Sequence, residues 1–145
     1  MSDVNNTEAL RTWFRTCPKI SGNKRFGVDY LAEKPTEYAI YASPSTLRYH
    51  ENILGEDVLD DIQTQNFIFA SKEPFGADAQ QNAANLMFYQ GIVDWILTQN
   101  EARSFPDWSG GRVKSIVPTL TAYPAQVGSN AAKYQIQLRV TYRRS

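Results

Sequence analysis

The chain has 145 residues, of which 42% are hydrophobic, 12% aromatic and 21% charged; that suffices for one globular domain with a real core and leaves no room for a second of ordinary size. Fifteen Lys and Arg balance fifteen Asp and Glu, so no overall attraction to nucleic acid or to an anionic membrane is encoded. No apolar run approaches the roughly 20 residues of a bilayer span, and the opening Met-Ser-Asp-Val-Asn-Asn-Thr-Glu lacks the basic start and apolar stretch of a secretory signal, so the expectation is a chain that stays in the compartment where it is made.

Thr7 to Thr16 places Leu10, Trp13 and Phe14 at i, i+3 and i+4, the spacing of one helical face. Cys17-Pro18-Lys19 ends that helix, because the residue before proline is pushed out of the helical region, and a loop is expected through Ser21-Gly22-Asn23-Lys24. Thr36 to Ala42 alternates Tyr38 and Ile40 with Glu37 and Tyr41, the period of a half-buried strand. Leu47 to Asn52 is a second candidate strand, and Ile53 to Asp57 reads as a turn with an acidic rim. Asp61 to Ser71 is rich in β-favouring types and apolar at Phe67, Ile68 and Phe69. A loop over residues 72–77 leads to Asp78, which is placed to cap a helix.

From Ala79 to about Asn100 there is no proline and only Gly91. Ala83, Leu86, Met87, Val93 and Leu97 recur at helical intervals, with Phe88, Ile92, Trp95 and Ile96 widening the stripe. At ~1.5 Å per residue this helix runs about 33 Å, and Leu86, Val93, Ile96 and Leu97 are expected to anchor it on a sheet. Arg103 to Gly111 carries the densest turn signals. Val113 to Tyr123 resumes alternation, and Pro118 makes it an edge or bulged strand. Residues 124–132 read as a flexible connection. In the last strand Tyr134, Ile136, Leu138, Val140 and Tyr142 point one way, while Lys133, Gln135, Gln137, Arg139, Thr141 and Arg143 point the other. Helices and strands do not alternate regularly, so the expected fold is α+β: a single domain over residues 1–145 with an antiparallel or mixed sheet, one long helix and a short N-terminal one.

Residue types narrow the chemistry. His50 is the only histidine, which excludes the His-Glu-x-x-His zinc site and any mechanism needing two imidazoles from one chain. No spacing of the glycines gives a phosphate-cradling loop, and there is no Gly-x-Ser-x-Gly elbow. Cys17 is the only cysteine, so no intrachain disulfide forms and a cysteine-built zinc site is excluded. A lone thiol is ordinarily a small buried hydrophobe; the competing assignment is a small-molecule binding or hydrolytic domain that pairs Cys17 with His50. Glu56, Asp57, Asp60 and Asp61 form the one acidic cluster, read as a solvated turn, with a hard cation as the sharper alternative. No cofactor is expected.

Neutrality hides a strong asymmetry. Residues 29–61 hold Lys34 and Arg48 against eight carboxylates, whereas residues 103–145 hold seven basic groups against Asp107 alone. Either these charges are dispersed in solvent, or an acidic face of one copy meets a basic face of the next, a head-to-tail contact that rotation closes into a ring. Arg139 and Arg143 suit such an interface, or a lumen facing an anionic polymer. Trp108, in a loop rich in glycine, has the character of an exposed docking anchor, with Arg112 beside it.

The early helix with Trp13, the Tyr-Ala-Ile-Tyr strand at 38–41, the Phe88-x-x-x-Ile92-x-x-Trp95-Ile96 helix leading to Gln99-Asn100, the Phe105-Pro106 loop and the Ala132-x-Tyr134-x-Ile136 strand together resemble the small tail-terminator and tail-completion proteins of long-tailed bacteriophages and prophages, a group of minor capsid and head–tail joining subunits. That resemblance implies an α+β structural protein of the virion, not an enzyme, made in the bacterial cytoplasm. It would form a homo-oligomeric ring, hexameric in the family, that caps the tail tube and meets the head connector, with transient contact to DNA in the lumen and none to a membrane. A neighbouring head-completion (neck) subunit is the alternative within the same class. The family supplies no catalytic residues, and the contact elements expected here are Arg139, Arg143, Arg112 and the loop around Trp108, a loop of the kind that orders on assembly.

Overall fold

The computed structural model of the chain describes residues 3–20, 26–28, 38–74, 79–127 and 131–144. The loop expected at 21–24, the start of the strand expected from Thr36, the turn at 75–77 with its Asp78 cap, and the centre of the 124–132 connection lie outside the described residues. In chain order the elements are α1 (Asp3–Phe14), β1 (Phe26–Val28), β2 (Tyr38–Ser43), β3 (Tyr49–Glu51), β4 (Asp57–Leu59), β5 (Ile62–Pro74), α2 (Ala79–Ala102), β6 (Gly111–Val127) and β7 (Ala131–Arg144). Five strands form one sheet in the order β1-β2-β5-β7-β6, and β3 and β4 pair as a separate hairpin. Only β1 and β2 run parallel; the other neighbours are antiparallel. The fold is α+β with a mixed sheet, one long helix and one short N-terminal helix.

The alternation in β7 sets the two faces of the sheet. Tyr134, Ile136, Leu138 and Val140 are buried, and across the ladder from them stand Phe69, opposite Ile136, and Phe67, opposite Leu138. Both helices cover this face. Phe14 of α1 stacks on Phe69 with ring centroids 4.8 Å apart, and Trp13 meets Trp95 of α2 at 4.6 Å. Tyr89 of α2 stacks on Tyr134 at 5.7 Å, and its hydroxyl bonds Ser71 and donates to the Tyr134 carbonyl at 3.1 Å, so the polar groups buried here are satisfied. Aromatic pairs of this kind add about 0.5–1.5 kcal/mol each beyond the area they bury.

The long helix buries part of the expected stripe: of the expected anchors Ile96 is buried and Val93 packs against the core, while Leu86 and Leu97 are not buried. Asn85, Tyr89, Ile92 and Ile96 are buried, with Phe88, Val93 and Trp95 packed at the margin, whereas Leu86, Met87 and Leu97 are exposed. The reason lies in the composition of α2, which carries large apolar side chains on every side, so periodicity alone does not single out one face. Its C-terminus is also unusual. Ser104 N–H bonds the Gln99 carbonyl at 3.0 Å and Arg103 N–H bonds that of Asn100 at 3.2 Å, a Schellman closure in which Arg103, with φ 54°, occupies the left-handed position usually given to glycine.

Several boundaries differ from expectation, and β1 and β4 are strands that local pattern does not announce. α1 starts at Asp3 rather than Thr7, β5 runs past Ser71 to Pro74, and β6 continues through Pro124 to Val127 where a flexible connection was expected. In both strands the ladder to β7 carries the chain further than local composition does: Pro74 is paired with Ala131 and Val127 with Ala132. Pro118 lies in the edge strand β6, next to a register shift, as its missing N–H requires. Asn100 covers part of that edge, accepting from Ile116 N–H at 2.9 Å through Oδ1 and donating through Nδ2 to the Ile116 carbonyl. Among the described residues, no helix is long and apolar enough to cross a membrane.

Candidate functional site: a basic sheet corner and an acidic hairpin

Strand register places the arginines. Residues 139 and 143 alternate with the buried positions of β7, so Arg139 and Arg143 are exposed on the face that the helices leave uncovered. Arg112 of β6 lies directly opposite Arg143 in the ladder and is also exposed, and Val117 lies opposite Arg139. The corner is closed by Gly111, paired with Arg144; a Cβ at Gly111 would stand 2.3 Å from the Arg143 carbonyl oxygen, so only glycine fits. Three of the four expected contact residues, Arg112, Arg139 and Arg143, therefore share one open surface, and no ion pair engages them among the described residues.

Trp108 does not join them as an exposed anchor. It is 7% exposed and belongs to the core, set edge-on against Phe67 at 5.9 Å and tilted against Tyr142 at 5.8 Å. The loop that carries it is tied down as well. Trp13 Nε1 donates to the Ser104 carbonyl at 2.9 Å, and Ser109 N–H donates to Asn6 Oδ1 at 2.9 Å. The turn residues give this segment its shape, and α1, which sequence reading treated only as a core helix, supplies the partners that hold it. Trp108 Nε1 is itself buried with no hydrogen-bond partner among the described residues. Outside the indole, Phe105, Pro106, Asp107 and Val113 form a cleft of about 520 Å³ with Arg103 and Arg112 on its rim.

The acidic segment 47–61 forms a hairpin that stands apart from the main sheet. Asn52 shapes its tip: Oδ1 accepts from Leu54 N–H and Glu56 N–H, each at 2.9 Å, and Gly55 takes φ 79°. Its base is clamped by Gln63, a buried side chain whose Nε2 donates to the carbonyls of Arg48 at 2.8 Å and Asp60 at 2.9 Å while Oε1 accepts from Arg48 N–H at 3.0 Å. Arg144 adds a second tie, its N–H donating to the Asp61 carbonyl at 2.7 Å and its guanidinium to that of Leu59 at 3.2 Å. Beside its carboxylates this frame displays apolar side chains: Ile53 is 100% and Leu54 78% exposed, and Leu47, Tyr49 and Val58 are exposed as well. The turn and its carboxylates are legible in the sequence, whereas no local signal marks the two aliphatic residues at its tip as exposed.

The alternative assignments have specific addresses in the fold. Cys17 is 2% exposed within the core, and burial pushes its thiol pKa up, against smaller lowering effects of backbone hydrogen bonds at Lys19 and Ile20 and of the Lys19 charge. His50 lies on the exposed hairpin with Nδ1 2.6 Å from Asp60 Oδ1. The pair is not assembled: the thiol is desolvated in the core and the imidazole engages a carboxylate on the surface. Of the acidic cluster, Glu56 bonds Asn52 and Asp60 bonds His50, and no group of three or more His, Cys, Asp or Glu side chains is arranged to hold a metal among the described residues.

The raised Cys17 pKa has a sign that can be measured. A thiol held neutral by the fold contributes stability below its unfolded value near 9.0 and loses it as pH rises through the higher folded value. A thiol reagent at neutral pH is therefore expected to modify Cys17 only after denaturation, and stability of the native chain is expected to fall off above about pH 9; fast labelling of the native chain would reinstate the nucleophile. No protein-family model and no curated protein matches this chain.

Proposed function

We propose that the chain is a structural subunit of a long-tailed bacteriophage or prophage, a tail-terminator or tail-completion protein that assembles with copies of itself into a ring at the head–tail junction. The observation that carries this proposal is the uncovered sheet face bearing Arg112, Arg139 and Arg143. A sheet covered by helices on one side leaves the other side with its backbone hydrogen bonds made and its side chains outward, and a cationic column on it meets either an acidic neighbour or an anionic polymer. In this role the subunit's partners are its own copies, the tail tube beneath, the head connector above and, in transit, DNA in the lumen; its final location is the virion. The role asks for no cofactor and no reaction.

The test is assembly of the purified chain, followed by size exclusion with light scattering and by negative-stain images. Closed rings that loosen as salt screens the contact are expected. Arg139→Glu combined with Arg143→Glu is expected to abolish them while circular dichroism stays unchanged, because both side chains are exposed and surface substitutions cost within about 0.5 kcal/mol. Rings that survive the double charge reversal would remove the basic column from the interface.

A further inference from the structure

We infer that the β3–β4 hairpin is a docking element for a second copy of this chain, its Ile53–Leu54 tip entering the cleft beside Phe105 and Pro106 and its carboxylates meeting the Arg112–Arg143 corner. The inference deepens the ring proposal and rests on it for the identity of the partner. Two like-charge pairs of opposite sign carry it. In the hairpin, Glu51 stands directly opposite Asp57; in the main sheet, Arg112 stands directly opposite Arg143. All four side chains are exposed, and none has an ion-pair partner among the described residues. Like charges facing each other across a ladder destabilise it. Brought together, the acidic pair and the basic pair relieve each other.

The tip supplies the apolar half of the contact. A turn whose backbone is fixed by Asn52 and clamped at its base by Gln63 holds Ile53 and Leu54 in water, so the ordering cost of burying them in a partner falls mainly on their own side-chain rotamers. The cleft of about 520 Å³ has room for two branched aliphatic side chains; its lining mixes Phe105, Pro106 and Val113 with polar groups, Asp107 among them, and Arg103 and Arg112 stand on its rim. Within one chain the tip does not use this cleft, since Ile53 is fully exposed.

Other apolar surfaces fit less well. The exposed row Leu86, Met87 and Leu97 on α2 has Asp94 and Glu101 for neighbours, which would repel the acidic hairpin. The groove between α1 and the 103–110 loop, lined by Ala9, Thr12, Thr16 and Phe105, carries no basic side chain. The cleft beside Arg112 sets Phe105, Pro106 and Val113 beside two arginines, Arg103 and Arg112, against the single carboxylate of Asp107, and it adjoins the Arg112–Arg143 corner. Hairpin and cleft are different surfaces at the same end of the sheet, joined there by Gly111 pairing with Arg144 and by Arg144 binding Leu59. Passed from copy to copy, such a contact closes a ring; reciprocated about a two-fold axis, it stops at two copies.

The experiment measures self-association of the full chain by light scattering, with Ile53→Asp, Leu54→Asp, Arg112→Glu, and Arg112→Glu combined with Asp57→Arg. Each tip substitution is expected to weaken association by roughly a hundredfold, the effect of losing a central anchor, with circular dichroism unchanged. Arg112→Glu is expected to weaken it and the added Asp57→Arg to restore it, since the pair is then exchanged. Association that is unaffected by the tip substitutions overturns the docking and leaves the ring proposal standing. A tip-dependent species of only two copies upholds the docking and overturns the ring. A strict monomer at the highest soluble concentration overturns both.

Discussion

Trp108→Ala is expected to destabilise the fold by about 3–5 kcal/mol, the range for removing a large buried aromatic side chain, and to lower the melting temperature by roughly 10 °C or more. The indole fills the angle between Phe67 and Tyr142 and underlies the 103–110 loop, so its loss leaves a cavity at the basic corner and slackens the wall of the cleft. Trp108→Phe is expected to cost much less. It keeps an aromatic ring in place and removes an indole N–H that is buried without a hydrogen-bond partner among the described residues. Calorimetry on the two variants separates this role from that of a docking anchor: an anchor would lose partner binding on substitution and leave the melting temperature where it was.

Phe69→Ala has a comparable expected effect, about 3–5 kcal/mol, for a different reason. Phe69 is where the layers meet, stacked on Phe14 of α1 at 4.8 Å and on Tyr38 of β2 at 5.9 Å, and edge-on to Tyr89 of α2 at 6.0 Å. Truncating it removes one partner from each of three aromatic contacts, and the surrounding rings are too large to collapse into the space. Leu97→Ala serves as the internal comparison. Leu97 was expected to anchor the helix and is exposed, so its truncation is expected to change stability by about 0.5 kcal/mol or less. Urea denaturation of both variants checks the pair; similar losses at the two positions would mean that α2 is rotated from the orientation described.

Much of the architecture could be read from local pattern. The alternation from Tyr134 to Tyr142 gave β7, its buried face and its arginine-bearing face, because a strand with one wet side writes its orientation into every second residue. Leu10, Trp13 and Phe14 gave α1 and its core side in the same way. The proline in β6 marked it as an edge or bulged strand from chemistry alone. One histidine, one cysteine and the spacing of the glycines leave this chain without a two-imidazole site, an intrachain disulfide or a phosphate-cradling loop, whatever its fold.

Other features depend on residues distant in the chain. Large apolar residues of α2 are spread around the helix among polar ones, so the face it buries follows from what the sheet and α1 offer, namely Ser71, Tyr134 and Trp13. Trp108 sits among glycines and looks exposed, yet Asn6 and Trp13, more than ninety residues away, pin its loop over Phe67. The opposition of Glu51 to Asp57 and of Arg112 to Arg143 exists only once strand register is set. Local sequence specifies what each segment is, since helix and strand periods are short-range; which surfaces it buries, and which charges it is forced to place together, is fixed by partners that only long-range packing can supply.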